Sequence, residues 1–588
     1  MNNQRNLILA ILLTGLLLFG WDAGIRYFYP HANQPKPAAT AAQTAPAAAP
    51  KATREGGLVS ATDVALEAQD LKTALASPGR VPIAAPGLSG SINLAGAVLD
   101  DLTINRHTAT VEKNSGPARI FSPAGTPAQQ FAQFGWVGGK DTAIVLPTAA
   151  TQWTAPAGAK LTPATPVTLT TTNPTGQTFT ITFSIDKDYL VTAAETVVNH
   201  GPAPVSVQPF ALLNRTNKTA SLDSWNIHSG PFGAFDGKVS FAPDYKKVTE
   251  GGQITNEGQT NWVGFTDIYW MSTLIPDAAP TTSTFRAQGD GVFRADLIYQ
   301  PQIVAPGQQL TRTTRLFAGA KESRVLDRYE DAGIVNFGLA IDWGWFRWFE
   351  KPIFWLLTQL FHFAGNFGVA IILLTVIVRG IMFPVAQRQF ASMALMRAIQ
   401  PKMKALQERH KDDKPKLQEE TMKLYKAEGV NPLAGCLPMF LQIPVFFALY
   451  KVLMVSIEMR HQPFVLWIKD LSAPDPLHIL NLFGLLPFTP PSFLAIGILA
   501  VLLGITMWLQ FKLNPAAADP MQQQVFAIMP WMMMFIMASF ASGLLIYWIT
   551  SNLLTIGQQK YLYARHPQLR AQADKDAADT KSTAARSK

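Results

Sequence analysis

The chain has 588 residues, of which 48% are hydrophobic and only 15% are charged. Soluble domains usually carry about 25% charged residues, so the composition indicates segments that face lipid, and the length allows several domains. The lone cysteine, Cys436, excludes a disulfide framework and a Cys-x-x-Cys zinc site. The net charge of +9 comes from the two ends of the chain, and its mildly acidic middle argues against direct, sequence-specific nucleic-acid binding.

The N-terminus carries Arg5 ahead of the apolar run 7–20. This pattern is typical of a cleaved secretory signal peptide or of an uncleaved signal anchor. The residues from Trp21 onward offer no clear small-x-small cleavage site, which favours an anchor over 1–24 with its N-terminus in the cytoplasm. The next segment, 25–58, is rich in Ala and Pro and is predicted to be an extended linker.

The sequence pattern of residues 59–335 is typical of a β-domain. Apolar and polar residues alternate over 179–185, and the Asn-Pro-Thr-Gly sequence of 173–176 predicts a turn that joins this strand to 167–170. Similar short runs recur throughout the segment, so we predict a large β-sandwich rather than alternating β and α units. A carbohydrate-active enzyme is an alternative for this domain, and it would need converging carboxylates that the sequence does not single out.

Beyond the β-domain the chain becomes strongly apolar. Aromatic residues mixed with charges favour a helix in the headgroup region, and a helix that caps the β-domain is the alternative. Five apolar segments follow, and together with the N-terminal anchor they make six predicted membrane spans. The predicted segments are an interfacial helix 341–365, a second span 366–386, a cytoplasmic helical hairpin 387–432, a third span 433–455, a periplasmic loop 456–491, a fourth span 492–511, a cytoplasmic loop 512–524, a fifth span 525–541, a sixth span 542–559 and a basic cytoplasmic tail 560–588.

Positive charges predict the orientation of these segments. The hairpin 387–432 and the tail 560–588 are rich in Lys and Arg, whereas the loop 456–491 carries only Arg460 and Lys469. By the positive-inside rule, the hairpin, the tail and both termini lie in the cytoplasm and the β-domain lies outside. The apolar stretch 480–488 leaves the start of the fourth span open, because it could also be re-entrant.

Arg379 lies inside the second predicted span, where a charge costs about 2.5–3.5 kcal/mol. Its side chain either snorkels to the cytoplasmic headgroups or lines a hydrated groove. Polar residues on several spans favour a groove when taken together, although helix–helix hydrogen bonding explains each one singly. These residues are Thr375, Gln442, Thr550, Ser551 and Asn552.

Other chemistry has little support in the sequence. No acidic residue lies in the apolar core of a predicted span, which disfavours a proton-coupled or cation-coupled transporter. The chain has no P-loop and no His-Glu-x-x-His motif, so nothing indicates nucleotide hydrolysis or a metalloenzyme. A channel or transporter built on the same spans remains an alternative, and ion flux through the purified protein would identify it.

Two further segments could contact other molecules. The hairpin 387–432 is predicted to contain two basic amphipathic helices, the second with Asp413 as its N-cap and Pro415 in its first turn. Its charged face is either only solvated or docks lipid headgroups, a ribosome or an incoming chain. The fifth span contains five methionines between 529 and 537, which either face lipid or form a surface that adapts to varied apolar helices.

Several motifs occur in a specific order. They are Thr-Val-Ile-Val-Arg-Gly-Ile-Met-Phe-Pro at 375–384, Leu-Tyr-Lys-Ala-Glu-Gly-Val-Asn-Pro at 424–432, Gly-Cys-Leu-Pro at 435–438, Asp-Pro-Met-Gln-Gln at 519–523, and Ser-Gly-Leu-Leu-Ile-Tyr-Trp at 542–548 with Ser551 and Asn552. In this order the motifs resemble the YidC-type membrane protein insertases. The N-terminal anchor and the β-domain resemble the Gram-negative branch of that family.

This resemblance implies a polytopic α-helical membrane protein with six spans, five of them forming the insertase core. The large all-β periplasmic domain would be a supersandwich related to carbohydrate-binding and mutarotase folds. The implied function is to insert, fold and assemble integral proteins of the bacterial inner membrane, alone or with the Sec translocon, without enzymatic activity, cofactor or metal. The implied partners are nascent membrane proteins, the Sec translocon with its accessory subunits, the ribosome through the tail and hairpin, and anionic lipids.

The resemblance also assigns roles to single residues. A hydrophilic substrate groove would be centred on Arg379 and include Thr375, Gln442, Tyr547, Trp548 and Asn552. An apolar slide for the substrate helix would contain Met439, Phe446, Met529 and Met533. The cytoplasmic hairpin would recruit the substrate through Arg397, Lys402, Lys404 and Lys423. Trp548 stands where many relatives have a second tyrosine.

Overall fold

The computed structural model of the protein describes residues 55–112, 114–138, 144–221, 227–344, 346–387, 399–410, 413–428, 437–483, 485–486, 488, 490, 494–513 and 520–565. All of them belong to one compact unit that begins at Pro50. The predicted anchor 1–24 and nearly all of the linker 25–58 lie outside the described residues, as do Arg397 and the tail after 565.

The β-domain consists of two antiparallel sheets. The first contains β1 (Arg80–Ala84), β2 (Leu88–Asn93), β3 (Val98–Thr108), β4 (Pro117–Phe121), β5 (Gln130–Gly138), β9 (Val205–Thr216), β12 (Gln253–Thr255), β15 (Thr281–Gly289), β16 (Val292–Tyr299) and β17 (Gln302–Val304). The second contains β6 (Val167–Thr172), β7 (Gln177–Ile185), β8 (Leu190–Asn199), β10 (Gly230–Phe235), β11 (Lys238–Ser240), β13 (Thr260–Thr266), β14 (Trp270–Ile275) and β18 (Gln309–Ala320).

The strand order shows how the chain crosses between the sheets. The first sheet runs β1-β2-β3-β5-β9-β16-β15-β12, with β4 beside β3 and β17 beside β9. The second runs β11-β10-β13-β14-β18-β8-β7-β6. Three helices accompany them: α1 (Ala61–Leu75) precedes β1, α2 (Tyr245–Gly251) precedes β12, and α3 (Ser323–Asp331) follows β18.

The predicted hairpin over 167–185 is present. Strands β6 and β7 pair antiparallel, with Val167 opposite Phe183. The turn between them is held by the side chain of Asn173, whose Oδ1 accepts a hydrogen bond from the Gln177 amide at 2.7 Å. Gly176 adopts a φ of 87°, a left-handed conformation that glycine takes without strain.

Aromatic side chains join the two sheets into one core. Phe134 of β5 contacts Phe183 of β7 edge-to-face, with ring centroids 5.8 Å apart. Trp136 of β5 lies 5.0 Å from Phe179 of β7. All four rings are almost fully buried, so the inward-facing residues of the two sheets form a shared core. The prediction of a large all-β domain is therefore confirmed.

An amphipathic helix, α4 (Arg347–Ala364), connects the β-domain to the remaining helices. Ile353 and Leu357 on one face are buried, whereas Trp348 and Trp355 on the other are 67% and 63% exposed. The helix begins six residues after the predicted start at 341, because Trp343 is buried ahead of it and packs on Phe354 with ring centroids 5.5 Å apart.

The C-terminal half of the chain is helical. Its helices are α5 (Phe367–Ile381), α6 (Gln400–Arg409), α7 (Lys414–Ala427), α8 (Leu437–Val455), α9 (Ile498–Leu513), α10 (Pro520–Met537) and α11 (Ser542–Arg565). Helix α11 packs against α5, α8 and α9, while α4 packs against α5 and α8, and α10 against α9. Gly543 permits this close packing, since a Cβ there would lie 3.0 Å from Leu453 and 3.2 Å from Ile371.

Within the part of the chain that the structure describes, no helix combines the length and the apolar composition needed to cross a membrane. The six spans remain a prediction.

Several further helix boundaries differ from the predicted segment bounds; α10, for example, covers Pro520–Met537 where a span over 525–541 was predicted. Helix α9 begins at Ile498 rather than at 492 because the preceding loop supplies its cap, in which Asp475 Oδ2 accepts a hydrogen bond from the Leu499 amide at 2.8 Å. The other oxygen of Asp475 accepts from the Leu477 amide and the Trp467 indole, both at 3.0 Å. Helix α11 continues to Arg565, beyond the predicted end at 559.

Candidate functional site

Arg379 is the only charged residue of α5, and it lies in the last turn of that helix. The helix starts where Asn366 Oδ1 accepts hydrogen bonds from the amides of Gly368 and Val369, at 2.8 and 3.2 Å. The half-buried guanidinium of Arg379 donates from Nε to Ser551 Oγ on α11 at 3.0 Å, and its Nη2 contacts the same oxygen. The arginine is therefore fixed against the neighbouring helix.

A second polar contact lies one turn away on α11. Tyr547 is four residues before Ser551, on the same face, and both side chains are about 1% exposed. Gln442 of α8 donates a hydrogen bond from Nε2 to the Tyr547 hydroxyl. The structure thus brings together three of the predicted groove residues, Arg379, Gln442 and Tyr547, from three different helices.

The other predicted groove residues make different contacts. The Thr375 hydroxyl donates to the Ile371 carbonyl in its own helix at 2.7 Å. Asn552 donates from Nδ2 to Thr506 Oγ1 of α9 at 3.2 Å. Trp548 packs edge-to-face on Phe446, with ring centroids 5.1 Å apart. Thr375 and Asn552 therefore bond within or between helices, and Trp548 forms an apolar contact beside the polar cluster.

Ser551 and Thr506 also belong to this cluster, because they accept the hydrogen bonds of Arg379 and Asn552. Ser551 was one of the polar residues that together favoured a groove, but it was not among the predicted substrate-groove residues, and Thr506 was not predicted at all. Thr506 is a buried polar residue in an otherwise apolar stretch of α9. A lone polar residue in such a stretch often bonds to a neighbouring helix, so its position in the sequence could have identified it.

Arg379 carries a charge that no carboxylate compensates among the described residues, whose ion pairs do not include it. A guanidinium has five N–H donors, and Ser551 provides a single acceptor oxygen. The remaining donors have no acceptor among the described residues, so they can bond to water or to an incoming anionic group. The cluster can therefore hold a positive charge at a fixed position and donate hydrogen bonds from it.

The predicted slide residues are only partly accessible. Phe446 on α8 and Met529 and Met533 on α10 are half-buried, and the side chain of Met439 lies outside the described ones. A neighbouring row on α10 is more exposed, with a spacing of three or four residues that places it on one helical face. This row consists of Val525, Ile528, Met532 and Phe535, exposed at 54%, 49%, 50% and 51%.

The helical hairpin has the predicted start to its second helix. Asp413 is the N-cap of α7 and accepts a hydrogen bond from the Lys416 amide at 3.1 Å. Of the predicted recruitment residues, Lys402 bonds to Glu428, and Lys423 pairs with Glu419 at 2.8 Å and with Glu420 at 2.9 Å. Lys404 has no described side chain, and Arg397 lies outside the described residues.

The structure joins a helical core with a buried polar cluster to a large all-β domain, the combination expected for the class of proteins that the sequence motifs resemble, the membrane protein insertases. The model of the YidC periplasmic domain matches residues 80–356, and that of the 60Kd inner membrane protein matches 359–569. Together with the relatives, these matches show that the chain belongs to the YidC family of membrane protein insertases.

Relatives match over nearly the whole chain. The membrane protein insertase YidC of Zymomonas mobilis is 44% identical over 578 residues, which is 96% of this chain and 96% of that protein. The insertase YidC of Rhizobium etli is 43% identical, again with 96% of each chain covered. A solved structure of an active YidC insertase is 18% identical, with a TM-score of 0.35 over 82% of this chain and 92% of that one. The family predicted from the motifs is confirmed.

Proposed function

We propose that this protein inserts nascent membrane proteins into the bacterial inner membrane through a groove centred on Arg379. The observation that carries the proposal is the fixed, half-buried guanidinium bonded to Ser551, which has no carboxylate partner among the described residues. A positive charge in such a position attracts the polar, often acidic, end of a substrate hairpin. Gln442 and Tyr547 extend the polar surface toward α8.

Insertion of the substrate can be driven by its own transfer into lipid, without cleavage of a covalent bond. Moving a polar segment through hydrocarbon costs several kcal/mol for each unpaired group, and a hydrated groove shortens that path. The apolar part of the substrate gains about 25 cal/mol per Å² of surface that it transfers into lipid. Helices α8 and α10 serve as the slide for this part, and the exposed row on α10 around Ile528 and Met532 supports that role. The protein then works without nucleotide hydrolysis, cofactor or enzymatic turnover.

The remaining parts follow from charge and position. Six spans place both termini and the hairpin 387–432 in the cytoplasm and the β-domain in the periplasm. The basic hairpin and tail contact the ribosome and anionic lipids, and the core receives spans from the Sec translocon and its accessory subunits or acts alone. The excess of Lys and Arg in the hairpin and tail supports this arrangement.

The test uses purified full-length protein in liposomes, without nucleotide or translocon. A two-span substrate with an acidic connecting loop is added, and protection of the loop from external protease reports insertion. We expect insertion by the native protein, strong loss with Arg379→Ala and substantial retention with Arg379→Lys, because lysine keeps the charge. Lys238→Ala is the matched control, since it removes an exposed positive charge from the β-domain.

The same comparison can refute the groove. Equal insertion by the native, alanine and lysine proteins would show that the charge of Arg379 has no role in insertion. Failure of the native protein would show that insertion requires the translocon. A substrate with a neutral loop should lose less insertion with Arg379→Ala than the acidic one, because the proposed attraction acts on negative charge.

A further inference from the structure

A cavity of about 1070 Å³ lies between the β-domain and the helical core, away from Arg379. The β-domain contributes Arg215, Asp267 and Trp270 to its wall, together with Glu55 from the segment ahead of α1. The helical core contributes the loop between α8 and α9, including His461 and Asp470. The cavity is therefore lined by charged groups that are distant in sequence.

Three of these groups converge on one point. Glu55, His461 and Asp470 each present one possible ligand atom, and the three atoms lie within 4.8 Å of one another. Glu55 Oε1 is 3.6 Å from His461 Nε2. Two ligands bound to one zinc ion at about 2.0–2.1 Å in a tetrahedral arrangement lie about 3.4 Å apart, so all three side chains would move closer together on binding the ion.

Each of the three side chains is oriented by a second contact that leaves one atom for the common point. Glu55 Oε2 accepts a hydrogen bond from Arg460 Nε at 2.7 Å, which leaves Oε1 facing the histidine. His461 Nδ1 contacts the Thr108 hydroxyl at 3.4 Å, which leaves Nε2. Such outer contacts fix metal ligands in known sites.

The third side chain, Asp470, is held in the same way. Its Oδ1 accepts hydrogen bonds from the amide and the hydroxyl of Ser472, at 2.8 and 2.7 Å. Asp470 is only 8% exposed, and no hydrogen bond to its Oδ2 occurs among the described residues. This oxygen is available to a cation or to water in the cavity that Asp470 lines.

The backbone of His461 has an uncommon conformation. His461 has a φ of 57°, in the left-handed region that residues other than glycine seldom adopt. Strained backbone of this kind is retained where the surrounding structure requires the side chain in one place. Here the conformation directs the imidazole to Glu55 across a gap of more than 400 positions in sequence.

We propose that Glu55, His461 and Asp470 bind one divalent transition-metal ion, with zinc the best match. One imidazole nitrogen and two carboxylate oxygens are ligands that zinc accepts, and three protein ligands leave a position open for water from the cavity. The two carboxylates with Arg460 give the site a net charge of about −1 when the imidazole is neutral, so a divalent cation is attracted. The ion would tie the first residues of the β-domain to the loop 456–491 of the helical core.

The proposal is tested on full-length protein in detergent after removal of any affinity tag and stripping with a chelator. Zinc is titrated by calorimetry, and bound zinc is counted by mass spectrometry after gel filtration. We expect one zinc per chain in the native protein and at least tenfold weaker binding with His461→Asn or Asp470→Asn. Asparagine tolerates the left-handed backbone at 461, so this variant should fold.

A matched control and a second readout separate ligation from misfolding. His200→Asn removes an exposed histidine of the β-domain and should leave zinc affinity unchanged. Cobalt added to the stripped native protein should give visible absorption bands of a low-coordinate site, absent with His461→Asn. The proposal is overturned if the native protein binds no zinc, in which case Arg460 alone compensates Glu55. Equal binding by His461→Asn and His200→Asn would also overturn it.

Discussion

The guanidinium of Arg379 and the hydroxyl of Ser551 form a hydrogen bond of 3.0 Å between α5 and α11, although the two residues are 172 positions apart. This bond holds the single charge of α5 against α11, which also packs on α8 and α9. Ser551 therefore fixes the position of the positive charge, whereas Arg379 provides the charge itself. The two contributions can be separated by substitution.

Ser551→Ala should lower stability more than it lowers insertion. A hydrogen bond to a charged partner contributes about 1.5–3 kcal/mol, and the variant should lose an amount at the lower end of this range because Arg379 is only half-buried. Insertion of the acidic substrate should fall less than with Arg379→Ala, since the charge remains. Thr555→Val is the control, because the one hydrogen bond of the Thr555 hydroxyl among the described residues goes to the Ser551 carbonyl within α11. Loss of insertion equal to that of Arg379→Ala would show that position matters as much as charge.

Two glycines of α5 should respond oppositely to alanine. A Cβ at Gly368 would overlap the ring of Phe464 in the loop after α8, whereas a Cβ at Gly380 would meet no atom within 4 Å. Overpacking typically costs about 1–3 kcal/mol, so Gly368→Ala should lower the melting temperature measurably. Gly380→Ala should leave it unchanged or raise it, because alanine favours helix. Equal melting temperatures of the two variants would contradict the packing of α5 on this loop.

Local patterns in the sequence were sufficient for much of the fold. Period-2 alternation and the Asn173 turn predicted the β6–β7 hairpin, and Asp413 with Pro415 predicted the start of α7. Each of these signals acts over a few residues, and in both places the tertiary contacts agree with it. The start of the fourth span stayed open in the sequence for the opposite reason, since Asp475, whose side chain caps α9, lies more than twenty residues upstream.

The sequence identified the central residue of the candidate site but not the residue that it bonds to. A charge in an apolar segment identified Arg379, because burial of a charge demands an explanation. The sequence could not show that Ser551 rather than Thr375 is its partner, since helix packing sets that contact. Glu55, His461 and Asp470 were missed altogether. Their proximity arises only when the β-domain packs on the loop after α8, and no spacing in the sequence records it.

A buried ion pair in the β-domain should be sensitive to the loss of one partner. Arg215 is about 1% exposed and pairs with Asp267, whose other oxygen accepts hydrogen bonds from Ser221 and Ser229. Asp267→Ala leaves the guanidinium buried and unpaired, which typically costs about 3–5 kcal/mol. Urea unfolding of the full-length protein should show this loss in the β-sheet signal.

An exposed ion pair provides the contrast for that experiment. Lys246 and Glu250 on α2 pair at 3.9 Å with both side chains largely in solvent. Glu250→Ala should leave the unfolding midpoint unchanged, because exposed pairs contribute little. If Asp267→Ala behaved like Glu250→Ala, the Arg215 pair would have no net role in stability.

The carboxyl group of Glu195 should make the β-domain less stable as the pH rises. Glu195 on β8 is fully buried, and burial raises its pKa well above the ordinary value of 4.5, with Asp277 adding to the effect and the backbone of Gly135 opposing it. In the folded state the group therefore stays protonated where the unfolded chain already ionises. Ionisation then favours the unfolded chain, by up to about 1.4 kcal/mol for each pH unit above 4.5 until the folded pKa is reached.

Glu195→Gln removes this titration while keeping the shape of the side chain. The variant and the native protein should melt at similar temperatures near pH 4.5, and the variant should melt higher at pH 7.5, with the difference growing between the two. Glu257→Gln, at an exposed loop position, should show no such trend. Thermal unfolding of the three full-length proteins across this pH range is the measurement. A difference between Glu195→Gln and native protein that stays constant with pH would mean that Glu195 is already ionised in the folded protein.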